Sequence, residues 1–247
     1  MKRTLALVAV SALLSFAVRA TPLPAQDKPE KTKKAASAPA GTILLAEDKG
    51  KFRILLDGQP VGSEEFQISP GEDGKEWTAR GKTEIQVPGA GAVQINARLQ
   101  LSPGGTPLHY EWSAQAQKKA SGTVDFRGGV AKLSLQIEGA QPVVQEHSFG
   151  PSPVVILDDN LHHHYAILAR LYDWSAKGVQ TFPVLIPQER IPGSITAEAF
   201  GPQDVEGSAL ELLRVRTADL EVNLYLDSSR RLMRLAVPSA KVVIIRE

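Results

Sequence analysis

The sequence predicts a mainly β fold, in which a long antiparallel meander curls into an open barrel or half-barrel and carries one amphipathic helix. Apolar and polar residues alternate along many short segments after Gly41, which is typical of strands with one buried face. Turns that contain Gly or Pro separate these segments at short intervals. One segment departs from the period of two and has helical spacing.

The alternation is clearest at 93–101, where Val93, Ile95, Ala97, Leu99 and Leu101 alternate with polar residues. It recurs around Phe52, Tyr110, Leu133 and Val222. After the helix we expect six further strands, at 179–186, 194–200, 209–216, 219–226, 230–237 and 241–246. No internal repeat of fixed period is visible, which argues against a propeller or a solenoid.

The predicted helix runs from Asp159 to Trp174. Its apolar residues fall at 161, 165, 167, 168, 171, 172 and 174, and they cover about half of the helix circumference. The other half is expected to face solvent, and it carries His162, Ala166, Ala169, Arg170 and Asp173. Asp158 or Asp159 is expected to cap the first turn, and Gly178 lies just beyond the end.

The chain has 247 residues, of which 43% are hydrophobic and 22% are charged, so the composition is that of a globular protein. We expect one β domain over residues 42–247. Cysteine is absent from the sequence, which excludes disulfides, thiolate nucleophiles and cysteine-ligated metals.

Residues 1–20 have the order of a secretory signal peptide, with Lys2 and Arg3 before an apolar run and small residues before Thr21. Residues 21–41 are rich in Pro, Ala and Lys, and are expected to form a disordered linker. We therefore expect a secreted protein, with the periplasm as the favoured location and no transmembrane segment after signal removal. Loss of Lys2, Arg3 and Arg19 leaves 25 basic residues against 27 acidic ones, a net charge of −2, which argues against nucleic-acid binding.

Three stretches of the sequence, FRILLDGQPVGSEEFQI, LQLSPGGTPLHYEW and VVILDDNLHHHYAILARLYD, carry a family resemblance. With six predicted strands after the last of them, this order resembles the periplasmic lipoprotein-localisation carriers and uncharacterised secreted bacterial families with the same half-barrel fold. The resemblance implies a concave face that binds acyl chains, and it implies no catalytic residue. The chain lacks the lipid-attachment cysteine of the membrane-anchored relatives.

The residues give no catalytic or metal site. His162, His163 and His164 are consecutive, so on a helix they point about 100° apart and do not converge on one ion. Neighbouring strand residues Glu64 and Glu65 point to opposite faces, and a capping role accounts for Asp158 and Asp159. We expect no cofactor.

The remaining functional candidate is an apolar cavity between the helix and the sheet. Seven side chains are the candidates for lining it: Tyr110, Trp112, Leu161, His164, Tyr165, Leu168 and Tyr172. Of the histidines, His164 points into the apolar arc and is expected to be buried. The leading functional hypothesis is a non-catalytic protein that binds a lipid or another apolar or amphipathic small molecule. An alternative is a structural or assembly protein of the cell envelope that contacts another envelope protein through its sheet edges, and a second alternative is a hydrolase.

Overall fold

The structure is a computed structural model that describes residues 44–87, 91–150, 153–217 and 219–247. The predicted signal peptide and the whole of the predicted linker lie outside these residues. The first half of the chain forms eight strands: β1 (Asp48–Leu56), β2 (Gln59–Pro70), β3 (Trp77–Val87), β4 (Gly91–Leu101), β5 (Pro107–Gln115), β6 (Lys119–Arg127), β7 (Val130–Ile137) and β8 (Val143–Ser148).

The second half begins with a short strand and the helix, β9 (Val155–Ile156) and α1 (His163–Leu171). Six strands follow: β10 (Gln180–Ile186), β11 (Ile191–Val205), β12 (Ser208–Arg216), β13 (Glu221–Leu226), β14 (Leu232–Val237) and β15 (Val242–Arg246). A short 3-10 helix, Pro238–Ala240, joins the last two strands.

These strands form one sheet with two ends. The spatial order runs from β8 down to β1, continues at β15 and runs down to β9. The first and last strands of the described chain, β1 and β15, therefore pair at the centre of the sheet. Among the described strands the pairing is antiparallel everywhere except between β9 and β10. The predicted antiparallel meander in an open barrel-like form is confirmed. The two edges, β8 and β9, follow one another in the chain.

The sheet curls around α1, and this places the core. The polar residues at the start of the helix bond to side chains of β2 and β5, while its later residues lie close to β14. The alternation predicted for residues 93–101 is present, since Ile95, Leu99 and Leu101 are buried on the face towards the helix. No helix in the described part of the chain is long and apolar enough to cross a membrane.

The helix differs from the prediction at both ends and on its expected solvent side. Its N-cap is His162, which makes no side-chain capping bond, so the capping role predicted for Asp158 and Asp159 is wrong. It ends because Tyr172 has an extended backbone, well before Gly178.

Of the five residues expected to face solvent, three are buried: His162, Ala166 and Ala169. The sheet lies on several sides of the helix, so these side chains are buried between the helix and the sheet. Arg170 is half-buried and Asp173 is exposed.

Candidate functional site

A buried glutamate of β2 holds the start of the helix. The alternation along β2 places Glu64 on the inner face with Phe66 and Ile68, and places Glu65 outside, as the sequence predicts. Glu64 is 0% exposed. Its Oε2 accepts hydrogen bonds from the backbone N–H of His162 and from its Nδ1, both at 2.7 Å. Its Oε1 accepts from the N–H and the Nδ1 of His163, at 3.2 and 2.5 Å.

This geometry keeps the glutamate ionised in the core. Burial favours the neutral acid, but the hydrogen bonds from His162 and His163 outweigh burial and hold the pKa of Glu64 well below its usual value. The carboxylate thus satisfies two of the free N–H groups that every helix start exposes. It also places a negative charge at the positive end of the helix dipole.

A glycine makes room for this contact. Gly81 of β3 lies opposite Phe66 in the sheet register. A Cβ atom at Gly81 would lie 2.4 Å from Cε1 of His163 and 2.7 Å from its Nδ1, which is closer than atoms can approach. Phe66 stacks on the His163 ring, with the ring centroids 6.0 Å apart.

A second set of buried, hydrogen-bonded residues surrounds Asp158. Tyr110 of β5 donates its hydroxyl to Oδ2 of Asp158 at 2.6 Å, and the backbone N–H of Gln188 donates to Oδ1 at 2.9 Å. The N–H of Asp158 donates to Nδ1 of His164 at 3.3 Å. Burial, partly opposed by the hydrogen bonds, raises the pKa of Asp158 to about 6. Burial also lowers the pKa of His164 well below its usual value, so this ring is neutral.

Together these residues connect the helix start to β2, β5 and the turn between β10 and β11. His163 and His164 are fully buried, and each has an Nε2 atom without a hydrogen-bond partner. Among the described residues there is no group of three or more His, Cys, Asp or Glu that could hold a metal ion. The arrangement can fix the helix in the sheet, and Asp158 and His162 also line a small cavity beside β13, β14 and β15.

The seven candidate ligand-lining residues lie in the core and are 0 to 9% exposed. Trp112 borders an open groove of about 470 Å³ beside β6, β7 and β8. Leu161 and Tyr165 border a cavity of about 20 Å³ beside β13, β14 and β15. That volume holds about one water molecule. His164 is buried, as expected, and its Nδ1 accepts a hydrogen bond from the backbone N–H of Asp158.

The sheet edge at β8 is a separate surface feature. β8 pairs only with β7 among the described residues. Its side chains alternate: Val143, Gln145 and His147 point inwards and are half-buried, whereas Val144, Glu146 and Ser148 are exposed. Val144 is 59% exposed, more than any other large apolar side chain in the described chain.

The sequence interpretation missed the role of Glu64. A signal was present, because residues 64, 66 and 68 share one face of the strand and the last two are Phe and Ile. A carboxylate on the same strand face as Phe and Ile is either exposed to solvent or buried with a hydrogen-bonding partner. The alternation along β2 favours burial with a partner. Nothing in the sequence indicates that this partner is the helix start, 98 residues away.

Comparison with solved structures supports a β-barrel-like fold. The crystal structure of a β-barrel-like protein of domain of unknown function DUF1849 from Brucella abortus matches with a TM-score of 0.54 at 8% identity, covering 82% of this chain and 95% of that one. A DUF1089 family protein from Pseudomonas aeruginosa matches with a TM-score of 0.46 at 9% identity, covering 72% and 90%. The first match supports the fold alone. No protein-family model and no curated protein sequence matches the chain.

Proposed function

We propose that this is a non-catalytic, secreted protein of the cell envelope, located in the periplasm, that binds another protein by strand addition at β8. The observation that carries the proposal is an open sheet edge with an exposed apolar side chain, Val144, near its start. The signal-peptide pattern of residues 1–20 supports secretion.

The edge lacks most of the features that prevent strand pairing. Natural edge strands are often protected by lysines, prolines, bulges or short length. β8 has six residues with the sequence VVQEHS, which includes one acid and neither lysine nor proline. Its pairing with β7 runs over six residue pairs without a register shift. The opposite edge, β9, has only two residues, and both are buried.

Two inward-facing side chains of β8 also lack partners. Oε1 of Gln145 and Nε2 of His147 are buried without a hydrogen bond. Leaving such a group unsatisfied costs about 1 to 3 kcal/mol. A strand added beside β8 would place its own inward side chains with their Cβ atoms about 5.5 Å from those of β8. Strand addition therefore satisfies the backbone groups of β8 that point away from β7.

Site-specific photo-crosslinking in cells tests this proposal. A photoreactive amino acid replaces Val144 on the edge, and in a control variant it replaces Val179, which is 49% exposed just before β10. We expect one defined crosslinked protein from position 144 and none from position 179. That product is either another envelope protein or a second copy of this chain. Absence of any product at 144, or the same products at both positions, would contradict strand addition at β8.

Binding of an apolar ligand is a second candidate function. Two observations favour it: the resemblance to lipoprotein-localisation carriers, and the small cavity between Leu161, Tyr165 and the apolar residues of β13 to β15. A cavity for one water must expand to admit an acyl chain, so this candidate requires movement of the helix start.

Titration with a fluorescent fatty acid separates the two candidates. Saturable one-to-one binding that changes in Leu161→Ala, but not in Leu133→Ala, supports a ligand carrier. Both leucines are 1% exposed, but only Leu161 lines the cavity. Lack of probe binding by the unmodified protein rejects the carrier function and leaves strand addition.

A further inference from the structure

A row of charged side chains crosses the outer face of the sheet and ends at the β8 edge. His109 of β5 lies opposite Asp125 of β6, and Nδ1 of His109 is 2.8 Å from Oδ1 of Asp125. Lys132 of β7 lies opposite Asp125 on one side and opposite Glu146 of β8 on the other. Asp125, Lys132 and Glu146 are exposed. Basic and acidic side chains therefore alternate from β5 outwards, and the row ends with an acid.

The backbone of Glu146 faces the position of an added strand. The N–H of Phe149 donates to the carbonyl of Gly129, on the side of β7. Because the backbone groups of a strand point alternately to its two sides, those of Val144, Glu146 and Ser148 point away from β7. A residue that pairs with Glu146 in an antiparallel strand would have its Cα atom about 5.5 Å away.

An added strand therefore places one of its side chains directly beside the Glu146 carboxylate. This carboxylate forms no ion pair with any residue that the structure describes. Opposite charges on directly opposed strand residues stabilise the pairing, and like charges destabilise it. A lysine or arginine opposite Glu146 would continue the alternation of the row, whereas an acid there would be repelled.

The neighbouring outward position of β8 favours an apolar residue in the added strand. Val144 is 59% exposed and lies two residues before Glu146, on the same face. It also borders the open groove of about 470 Å³ beside β6 and β7. An apolar side chain opposite Val144 would remove part of this exposed apolar surface from water.

The β8 strand of a second copy does not meet these requirements. Directly opposed residues lie on the same face of a sheet, so only Val144, Glu146 or Ser148 of another β8 could lie opposite Glu146. None of these residues is basic, and the whole strand, VVQEHS, contains neither lysine nor arginine.

We propose that the strand added at β8 belongs to a different protein and carries a lysine or arginine opposite Glu146 and an apolar residue opposite Val144. These two residues are two positions apart in the sequence of the partner, because alternate residues of a strand share one face. The inference rests on the strand addition proposed above and specifies the chemistry of the partner.

Selection of displayed nine-residue peptides on the immobilised protein tests the inference. Only those peptides are kept that crosslink to a photoreactive amino acid at position 144, and their affinities are measured by fluorescence polarisation. We expect them to share a lysine or arginine two positions from a valine, isoleucine or threonine. Replacing that basic residue by glutamate should weaken binding about fivefold, as expected when an opposite charge becomes a like charge across two strands.

A charge reversal on the protein provides the matched comparison. Glu146→Lys should reverse the preference, so that the glutamate peptide binds about fivefold more tightly than the basic peptide. Glu111→Lys makes the same charge change at an exposed position of β5, three strand spacings or about 14 Å from β8. It should keep the preference of the unmodified protein, because salt screens charges at that distance.

The outcomes separate this inference from the proposed function. Peptides that crosslink at position 144 but share no basic residue, or that show the same preference with Glu146→Lys, would overturn the inference and leave strand addition at β8 in place. If no peptide crosslinks at position 144, both fail. Crosslinking of position 144 to a second copy of this chain would overturn the assignment to a different protein.

Discussion

Replacing Glu64 by glutamine should destabilise the protein far more than the loss of one charge on the surface. The carboxylate accepts four hydrogen bonds, two at each oxygen. Glutamine keeps one acceptor oxygen and puts an NH₂ group where the other oxygen was. One backbone N–H of His162 or His163 then faces a donor and remains unsatisfied inside the core.

The expected loss follows from these contacts. An unsatisfied buried N–H costs about 1 to 3 kcal/mol, and the surviving bonds lose their charge assistance, so the total loss is about 3 to 5 kcal/mol. For a domain of this size that corresponds to a fall in melting temperature of about 6 to 20 °C. Because its pKa in the folded protein is lowered, the carboxylate stabilises the protein fully above its unfolded-state pKa, and this stabilisation is lost as the pH falls from there towards the folded-state pKa. The difference between the two proteins should therefore shrink as the pH falls below about 4.

Urea unfolding followed by tryptophan fluorescence measures the effect. Glu65→Gln is the matched control, because Glu65 is the next residue of β2, is exposed and forms only a 3.8 Å ion pair with Lys51. Its free energy of unfolding should change by less than about 1 kcal/mol. Equal stability of Glu64→Gln and Glu65→Gln would refute the conclusion that Glu64 holds the helix in the sheet.

Two further predictions concern the same buried groups. The pKa of Asp158 is raised to about 6 in the folded protein, so the folded state binds this proton more tightly than the unfolded chain. The free energy of unfolding should then decrease as the pH rises from about 4 to about 7. Asp158→Asn should show a weaker pH dependence over that range in urea unfolding, and an unchanged slope would contradict the assignment. Gly81→Ala places a Cβ atom 2.4 Å from Cε1 of His163, so the ring must leave its position. We expect a loss of about 1 to 3 kcal/mol and a large shift of the His163 ring resonances in NMR spectra; a variant with unchanged stability and spectra would show that the contact is not close.

The fold was largely predictable from the sequence because period-two alternation is a local property. Residues 93–101 form β4 within two residues of the predicted bounds, and all six strands after the helix are present. The alternation within each strand indicates which of its residues are buried, and the Gly-containing turns indicate where the chain reverses.

The environment of the helix was not predictable in the same way. The prediction placed His162, Ala166 and Ala169 in solvent because it assumed that the helix packs against a sheet on one side only. The sheet lies on several sides of the helix, so these residues are buried as well. The contact between Glu64 and the helix start joins residues 98 positions apart, and no local pattern encodes such a separation.

The availability of β8 for strand addition is tested most directly by amide hydrogen exchange, measured residue by residue in NMR spectra. In the isolated protein, every second amide of Val143–Ser148 should exchange rapidly, because it points away from β7, while the intervening amides are protected. Addition of the partner protein that was identified by crosslinking from position 144 should slow the exchange of the rapid amides and leave the exchange of the β7 amides unchanged. Uniformly slow exchange along β8 in the isolated protein, or rapid exchange that persists in the complex, would contradict binding at this edge.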